Sequence, residues 1–155
     1  MLNEINLMRT LQHDNIIRLY EVHETEKSIY LVMELVEGKP LQEPLGRCTF
    51  KRDYSEKKVI EMIYSLLDAL AYMSSKGIMH RDLKPDNILI DKTGKLKIVD
   101  FGLATYINVP EYIFKKCGTP GYIAPEVFKY DPKVPSKHYD DHCDVFSAGC
   151  IFFYM

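Results

Sequence analysis

The chain has 155 residues, of which 46% are apolar and 27% are charged, and its formal net charge is −2 at pH 7. This is the balance of an ordinary globular protein, and it excludes disordered, collagen-like and disulfide-stapled classes. Basic residues are interspersed with acidic ones, so nothing in the charge pattern indicates a nucleic-acid partner. A chain of this length can form one domain.

Targeting signals are absent from the sequence. Residues 1–6 lack the basic start and the unbroken apolar run of a secretory signal. No apolar stretch reaches the roughly 18 residues that a transmembrane helix needs. Cys48, Cys117, Cys143 and Cys150 form no C-x-x-C pair and are predicted to be reduced, rather than to bind zinc or form two disulfides. We therefore expect a cytoplasmic or nuclear protein without membrane contact.

One helix and two strands are predicted at the start of the chain. Apolar side chains recur at helical spacing in residues 2–11. The runs Ile16–His23 and Ser28–Val36 are rich in β-branched, Leu and Tyr residues, and the polar stretch between them predicts an antiparallel pair. Residues 37–40, which contain Gly38 and Pro40, then break the pattern and mark a candidate hinge.

A long amphipathic helix follows an irregular segment. Ser55 is a typical N-cap residue, apolar side chains repeat every three or four positions from Val59 to Met73, and Gly77 ends the pattern. This spacing is typical of a core helix.

Two short strands are predicted next. The runs 88–90 and 96–99 flank Asp91-Lys92-Thr93-Gly94, which is a hairpin pattern. Residues 101–142 are rich in turns and prolines, and an apolar, predicted helical, segment begins at Asp144.

The chemically informative residues lie around the predicted hairpin. Asp82, Asn87 and Asp100 offer oxygen atoms and Lys84 offers an ammonium group. A carboxylate and an Asn carbonyl together suit Mg²⁺, which also binds phosphate oxygens. Lys84 can neutralise a phosphoryl group and Asp82 can accept a hydroxyl proton, and phosphoryl transfer mainly requires such clamping and positioning. A glycosidase with paired carboxylates would explain neither Lys84 nor Asn87.

Three motifs resemble those of protein kinases. The run His80–Asn87 resembles the catalytic loop of that family, Asp100–Gly102 resembles its magnesium loop, and Ala124–Glu126 resembles the end of its activation segment. Lys84 and Thr119 match the serine/threonine version of these motifs. From Cys117 to Glu126 the sequence is most like the calcium/calmodulin-dependent group.

The resemblance implies roles for individual residues. Asp82 would be the general base or would orient the substrate hydroxyl, and Lys84 would contact the γ-phosphate of ATP. Asn87 and Asp100 would hold Mg²⁺. The nucleotide would also be bound by the backbone of the hinge and by one apolar side chain, which are contributed by Glu34, Val36 and Leu89.

Further residues match structural positions of the family. Met33 falls at the position before the hinge, Glu4 matches the helix glutamate that pairs with a phosphate-binding lysine, and Asp144 matches the buried aspartate that steadies the catalytic loop. Arg81 would tie this loop to the activation segment. Lys115 stands where an activating phosphate is usual, so we expect activation without phosphorylation at that position.

The resemblance also implies an α+β, bilobal fold in truncated form. Residues 1–37 would be the remainder of a small lobe with its hinge, and residues 38–155 an incomplete, mainly helical large lobe. No G-x-G-x-x-G motif occurs in the 155 residues, and the phosphate-binding lysine has no counterpart. We therefore expect this partial kinase domain, made alone, to be unstable and to have little or no activity.

Three functions remain in competition at this point. The favoured one is a protein serine/threonine kinase that uses ATP and Mg²⁺ and acts on Ser or Thr of protein substrates. The alternative is a non-catalytic kinase-like fragment that acts as a binding or regulatory module, against which the intact set Asp82, Lys84, Asn87 and Asp100 argues. A small-molecule kinase would leave the segment around Thr119 unexplained.

Overall fold

The computed structural model describes residues 2–41, 55–107, 109, 116–131, 133–134 and 138–155. Cys48 and Lys115, about which the sequence made predictions, lie outside these residues. The helices and strands follow one another as α1 (Leu2–Thr10), β1 (Leu19–Glu24), β2 (Ile29–Met33), β3 (Gly38–Pro40), α2 (Glu56–Ser75), β4 (Ile78–Met79), β5 (Ile88–Asp91), β6 (Leu96–Ile98), β7 (Thr105–Tyr106), α3 (Pro125–Phe128) and α4 (His142–Tyr154).

The beginning of the chain folds as its sequence predicts. Helix α1 is followed by β1 and β2, which pair antiparallel with Leu19 opposite Met33 and Glu24 opposite Ile29. The segment after α1 is joined to β6, because the Ile98 N–H donates to the Asn15 carbonyl at 2.8 Å and the Asn15 side chain donates to the Leu96 carbonyl at 2.8 Å. These bonds hold α1 and the β1–β2 pair against the predicted hairpin.

Residues 37–40, predicted as a hinge because they contain Gly38 and Pro40, form a strand in part. Residues Gly38–Pro40 make β3, which pairs antiparallel with β5 at the edge of the three-stranded sheet β3-β5-β6. Pro40 is tolerated because an edge strand can spare one N–H group. Gly38 lies so close to β5 that a Cβ atom on it would approach the Ile90 carbonyl carbon to 2.7 Å and the Asp91 Cα to 2.8 Å.

This close approach predicts the effect of Gly38→Ala. The neighbouring atoms belong to the backbone, so they cannot rotate away, and β3 has to move off β5. We expect the free energy of unfolding of the full-length protein to fall by about 1–3 kcal/mol in urea denaturation. The control is Gly149→Ala in α4, where an added Cβ meets nothing within 4 Å. It should leave stability unchanged or raise it by up to about 1 kcal/mol, and equal losses in both variants would contradict the prediction.

Helix α2 provides the centre of the core and confirms the predicted periodicity. Ser55 is its N-cap and accepts a hydrogen bond from the Lys58 N–H at 3.3 Å. Its buried face consists of Val59, Met62, Leu66, Ala69, Leu70 and Met73. Apart from Val59, this face joins a core cluster that includes Leu7 and Leu11 from the beginning of the chain and Ile98 from β6.

Several short elements went unpredicted. Strand β4 pairs with β7, Ile78 lying opposite Tyr106, and residues 85–87 form a turn of 3₁₀-helix between the catalytic-loop motif and β5. The apolar final helix begins at His142, two residues before the predicted start.

In the residues that the structure describes, no helix is long and apolar enough to span a bilayer. The mixture of helices and small antiparallel sheets confirms the predicted α+β class.

Candidate active site

Asp82 lies at the centre of a compact polar network. Its Oδ1 accepts a hydrogen bond from the Thr119 hydroxyl at 2.7 Å, and its Oδ2 lies 3.0 Å from the Lys84 ammonium. Lys84 also donates to the Thr119 hydroxyl at 2.9 Å. The Asn87 amide donates to the Asp82 backbone carbonyl at 2.9 Å and to Oδ2 at 3.3 Å. The Asp82 side chain retains 12% of its exposure, so its carboxylate is held firmly but remains accessible.

His80 supports the catalytic-loop backbone from beneath. Its ring is fully buried and meets the Phe101 ring edge-on, with 5.1 Å between centroids. The Asp82 N–H donates to Nδ1 at 3.3 Å, so the proton is assigned to Nε2, which donates to the Val99 carbonyl at 3.1 Å. Both ring nitrogens are therefore used inside the protein, and His80 holds Asp82 in position instead of acting as a base.

Asp144 anchors the same loop from helix α4. One carboxylate oxygen accepts the His80 N–H at 2.6 Å and the other accepts the Arg81 N–H at 2.8 Å. Burial raises the pKa of the Asp144 carboxyl, whereas the hydrogen bonds from these two N–H groups oppose that shift. Arg81 is thereby held at φ 70°, a left-handed conformation that side-chain-bearing residues rarely adopt.

Asn87 and Asp100 offer side-chain oxygen atoms of the kind that bind magnesium. The Asn87 backbone carbonyl accepts the Val99 N–H at 2.9 Å, so Asp100 directly follows a residue bonded to Asn87. The side-chain nitrogen of Asn87 faces Asp82. The side-chain oxygen of Asn87 therefore lies on the opposite side of its amide group. Asp100 is held at φ 62°, with Oδ1 accepting the Gly102 N–H at 3.2 Å. A carboxylate and an amide oxygen suit Mg²⁺, which also keeps water and phosphate ligands.

Backbone strain is concentrated at this site. Among the described residues other than glycine, Arg81 and Asp100 are the two with positive φ. Each such conformation costs on the order of 1–3 kcal/mol and persists only where the surroundings impose it. One residue belongs to the catalytic-loop motif and the other to the magnesium-loop motif, so the strain marks both segments that the sequence singled out.

The predicted nucleotide-binding residues occupy two neighbouring segments. Glu34 and Val36 follow β2, and the Glu34 N–H donates to the Arg18 carbonyl at 2.9 Å. The Glu34 side chain pairs with Lys97 on β6 at 2.7 Å, an ion pair that the sequence did not predict. Leu89 lies on β5, the central strand of the three-stranded sheet, opposite Lys97. The Glu34–Lys97 pair therefore fixes the segment that contains Glu34 and Val36 against the β5–β6 hairpin.

Two residues that match family positions lie near the beginning of the chain, Glu4 in α1 and Met33 at the end of β2. Glu4 is partly buried in the first turn of α1, and the neighbouring Asn3 side chain donates to the Ala104 carbonyl at 3.2 Å. Met33 ends β2 and is 45% exposed. The Asn3 bond links α1 to the segment just after Asp100–Gly102.

The order and the contacts of these segments agree with a comparison of the sequence with known families. The model of the protein kinase domain matches residues 1–155. The chain belongs to the protein kinase family. Protein kinases generally use ATP and Mg²⁺ and act on protein substrates, and the oxygen atoms of Asn87 and Asp100 suit such an ion.

The relatives of the chain include a serine/threonine-protein kinase and a calcium/calmodulin-dependent protein kinase. The chain is 40% identical over 156 residues to calcium/calmodulin-dependent protein kinase type 1 of Macrobrachium nipponense, covering 99% of the chain and 42% of that relative. It is 40% identical over 157 residues to serine/threonine-protein kinase DCLK3 of Mus musculus, covering 99% of the chain and 18% of the relative. Sperm motility kinase 3A of Mus musculus is 37% identical over 155 residues, covering 100% of the chain and 29% of the relative.

The chain therefore spans less than half the length of each of these kinases. The predicted membership of the kinase family, and the likeness to the calcium/calmodulin-dependent group, are confirmed.

For this kinase domain, sequence reasoning missed Tyr139. The Tyr139 hydroxyl accepts a hydrogen bond from the Arg81 guanidinium at 3.0 Å, although 58 residues separate them. No motif includes Tyr139, and the turn-rich composition of residues 101–142 concealed its burial. The only sequence feature that could have indicated Tyr139 is that it is an aromatic residue among polar ones, just before the apolar final helix.

Proposed function

We propose that the protein containing this chain is a protein serine/threonine kinase that transfers the γ-phosphate of ATP to Ser and Thr hydroxyls. The observation that carries this proposal is the Asp82 carboxylate, which already accepts a hydrogen bond from a hydroxyl, that of Thr119, at 2.7 Å beside the Lys84 ammonium. The same arrangement would receive the hydroxyl of a substrate.

The proposed chemistry follows from the positions of Asp82 and Lys84. A substrate hydroxyl oxygen forms a bond to the γ-phosphorus of ATP while the bond to the bridging oxygen breaks and ADP leaves, and Asp82 orients the hydroxyl and takes up its proton. Lys84 Nζ lies 3.0 Å from Asp82 Oδ2. It can therefore reach a phosphoryl group while the substrate hydroxyl held by Asp82 attacks it. Its positive charge stabilises the negative charge on that group.

The nucleotide and its metal would be bound by the residues beside this network. Asn87 and Asp100 would hold Mg²⁺, which supplies charge neutralisation for the phosphate oxygens when it is bound. The segment of Glu34 and Val36 would bind adenine through its backbone, with Leu89 as an apolar contact. The ion pair between Glu34 and Lys97 supports this role because it immobilises the segment.

Thr119 provides a test of the network that leaves Asp82 and Lys84 in place. Thr119→Ala removes the hydroxyl that bridges the carboxylate and the ammonium, so the Asp82 side chain gains freedom. We expect kcat for a peptide substrate to fall by roughly ten-fold to a hundred-fold, whereas Thr119→Ser, which keeps the hydroxyl, should retain most of the activity. Equal rates for the alanine and serine variants would contradict the role of the hydroxyl.

The function itself is tested with the full-length protein, Mg²⁺ and ATP labelled at the γ-phosphate. Peptide libraries with Ser, Thr or Tyr as acceptor should give label on Ser and Thr. Label on none of them, with ADP binding retained, would favour the alternative of a non-catalytic binding or regulatory module. Transfer to small alcohols without transfer to peptides would favour a small-molecule kinase.

A further inference from the structure

The Arg81 guanidinium is held by groups from two other parts of the fold. Its Nε donates to the Leu103 carbonyl at 2.7 Å, just after the magnesium-loop motif. Its Nη1 donates to the Tyr139 hydroxyl at 3.0 Å, just before helix α4. Asp82 directly follows Arg81 in the chain. These bonds therefore also restrain the backbone that carries the Asp82 side chain.

Tyr139 is well suited to hold a cation. Its side chain is 3% exposed, and its ring lies perpendicular to the ring of Tyr130 with 5.5 Å between centroids. Burial raises the pKa of the Tyr139 hydroxyl, so the group stays neutral and offers its oxygen to Arg81 as an acceptor. The same oxygen lies 3.8 Å from Cys117 Sγ, within reach of a hydrogen bond that involves sulfur.

Cys117 connects Tyr139 to the Asp82 network through the residues that follow it in the chain. Gly118 and Thr119 follow it, and the Thr119 hydroxyl donates to Asp82. Gly118 has φ 109°, and a Cβ atom on it would lie 2.9 Å from the Arg81 carbonyl oxygen, so its backbone rests directly on Arg81. Hydrogen bonds and covalent bonds thus form a closed ring, here called the anchoring ring, which consists of Arg81, Asp82, Thr119, Gly118, Cys117 and Tyr139.

We propose that Tyr139 is a positioning residue for the phosphoryl-transfer step, and that its hydroxyl closes the anchoring ring by joining Arg81 to Cys117. The role rests on the proposed function, because it concerns how Asp82 is oriented for a substrate hydroxyl. The ring restrains Asp82 both through the backbone and through the carboxylate.

A purely structural role for Tyr139 predicts a different outcome. In that case the ring of Tyr139 fills the small core cluster with Tyr130, Met79 and Val127, and its hydroxyl contributes nothing to turnover. Tyr139→Phe keeps the aromatic ring and removes only the oxygen, so it separates the two roles. Tyr130→Phe is the matched control, because Tyr130 belongs to the same cluster and has the same 3% exposure.

The experiment compares the full-length protein with these two variants. In Tyr139→Phe, kcat for a Ser peptide should fall roughly ten-fold, since a hydrogen bond to a charged group is lost. The KM for ATP should change by less than about two-fold, because the anchoring ring does not include the segment of Glu34 and Val36. Tyr130→Phe should retain both values.

Alkylation of Cys117 by iodoacetamide gives a readout that needs no catalysis. Loss of the Tyr139 hydroxyl frees the thiol, so peptide mass spectrometry should find Cys117 modified several-fold faster in Tyr139→Phe than in Tyr130→Phe. Cys143 should stay unmodified in all forms, because burial raises the pKa of its thiol. If Tyr139→Phe does not fold, Arg81→Lys opens the ring at its other side and should show the same fall in kcat with unchanged KM for ATP.

The outcomes that overturn the proposal are specific. Unchanged kcat in Tyr139→Phe does so, as does an equal loss in the two Tyr variants or an unchanged rate of Cys117 alkylation. If the unsubstituted protein phosphorylates no peptide, the proposed function fails. The alkylation rates then still decide whether the Tyr139 hydroxyl closes the anchoring ring.

Discussion

Replacing Asp82 by asparagine in the full-length protein is expected to lower kcat for a Ser or Thr peptide by roughly 10²–10⁴-fold. An amide cannot take up the hydroxyl proton, and its NH₂ group cannot accept hydrogen bonds from a hydroxyl or from Lys84. The Asp82 carboxylate makes both contacts, at 2.7 Å to Thr119 and 3.0 Å to Lys84. Steady-state phosphorylation of a peptide measures the change, and the KM for ATP should remain near its original value.

Asp131→Asn is the matched control for this substitution. Asp131 is exposed, and its carboxylate accepts a local hydrogen bond from the Lys133 N–H at 2.9 Å. The same chemical change at this position should leave kcat unaltered. A rate for Asp82→Asn within a few-fold of the original would count decisively against Asp82 as the group that receives the proton.

Asp144→Ala is expected to lower the free energy of unfolding of the full-length protein by about 2–4 kcal/mol. The substitution leaves the N–H groups of His80 and Arg81 without their carboxylate, and each buried donor that loses its acceptor costs about 1–3 kcal/mol. Part of this loss is offset, because the carboxylate itself is buried at a cost that raises its pKa. Urea denaturation followed by fluorescence or circular dichroism measures the difference.

Two further variants make the Asp144 result interpretable. Asp144→Asn keeps one acceptor oxygen and directs an NH₂ group at the other N–H, so its loss should be comparable with that of alanine or somewhat smaller. Asp140→Ala removes an exposed carboxylate that accepts the His142 N–H at 3.1 Å, and should cost no more than about 1 kcal/mol. If Asp144→Ala were no more harmful than Asp140→Ala, the anchoring role of Asp144 would be wrong.

The longer helices and the main strands were predictable because their signals are local, whereas the four-residue helix α3 lies in a segment predicted as turns. Helix α2 carries a Ser N-cap and a repeating apolar face, and both determine its course before any tertiary contact forms. The β5–β6 hairpin is similarly specified by apolar runs on both sides of a turn sequence. Strand β4 and its partner β7 were missed, since two-residue strands carry no periodicity and form only when distant segments meet.

In the candidate site, too, some residues were predictable from the sequence and others were not. Asp82, Lys84, Asn87 and Asp100 were recognisable because they occur in two compact motifs whose residue types suit phosphoryl transfer. The glycine and proline of residues 38–40 suggested a hinge, yet they form a strand because β5 lies beside them. The ion pair between Glu34 and Lys97 joins residues that are 63 positions apart, and nothing in either neighbourhood indicates the other.

The sequence by itself determined the family, the α+β class and the residues that carry the proposed chemistry, because each is encoded in short runs of residues. Only the tertiary structure decided that Thr119 bridges Asp82 and Lys84, that Asp144 holds the loop backbone, and that Tyr139 closes the anchoring ring. These contacts span 22 to 64 residues along the chain. A hydrogen bond between such distant groups depends on where the packed core places their backbones, and no local pattern in the sequence records that placement.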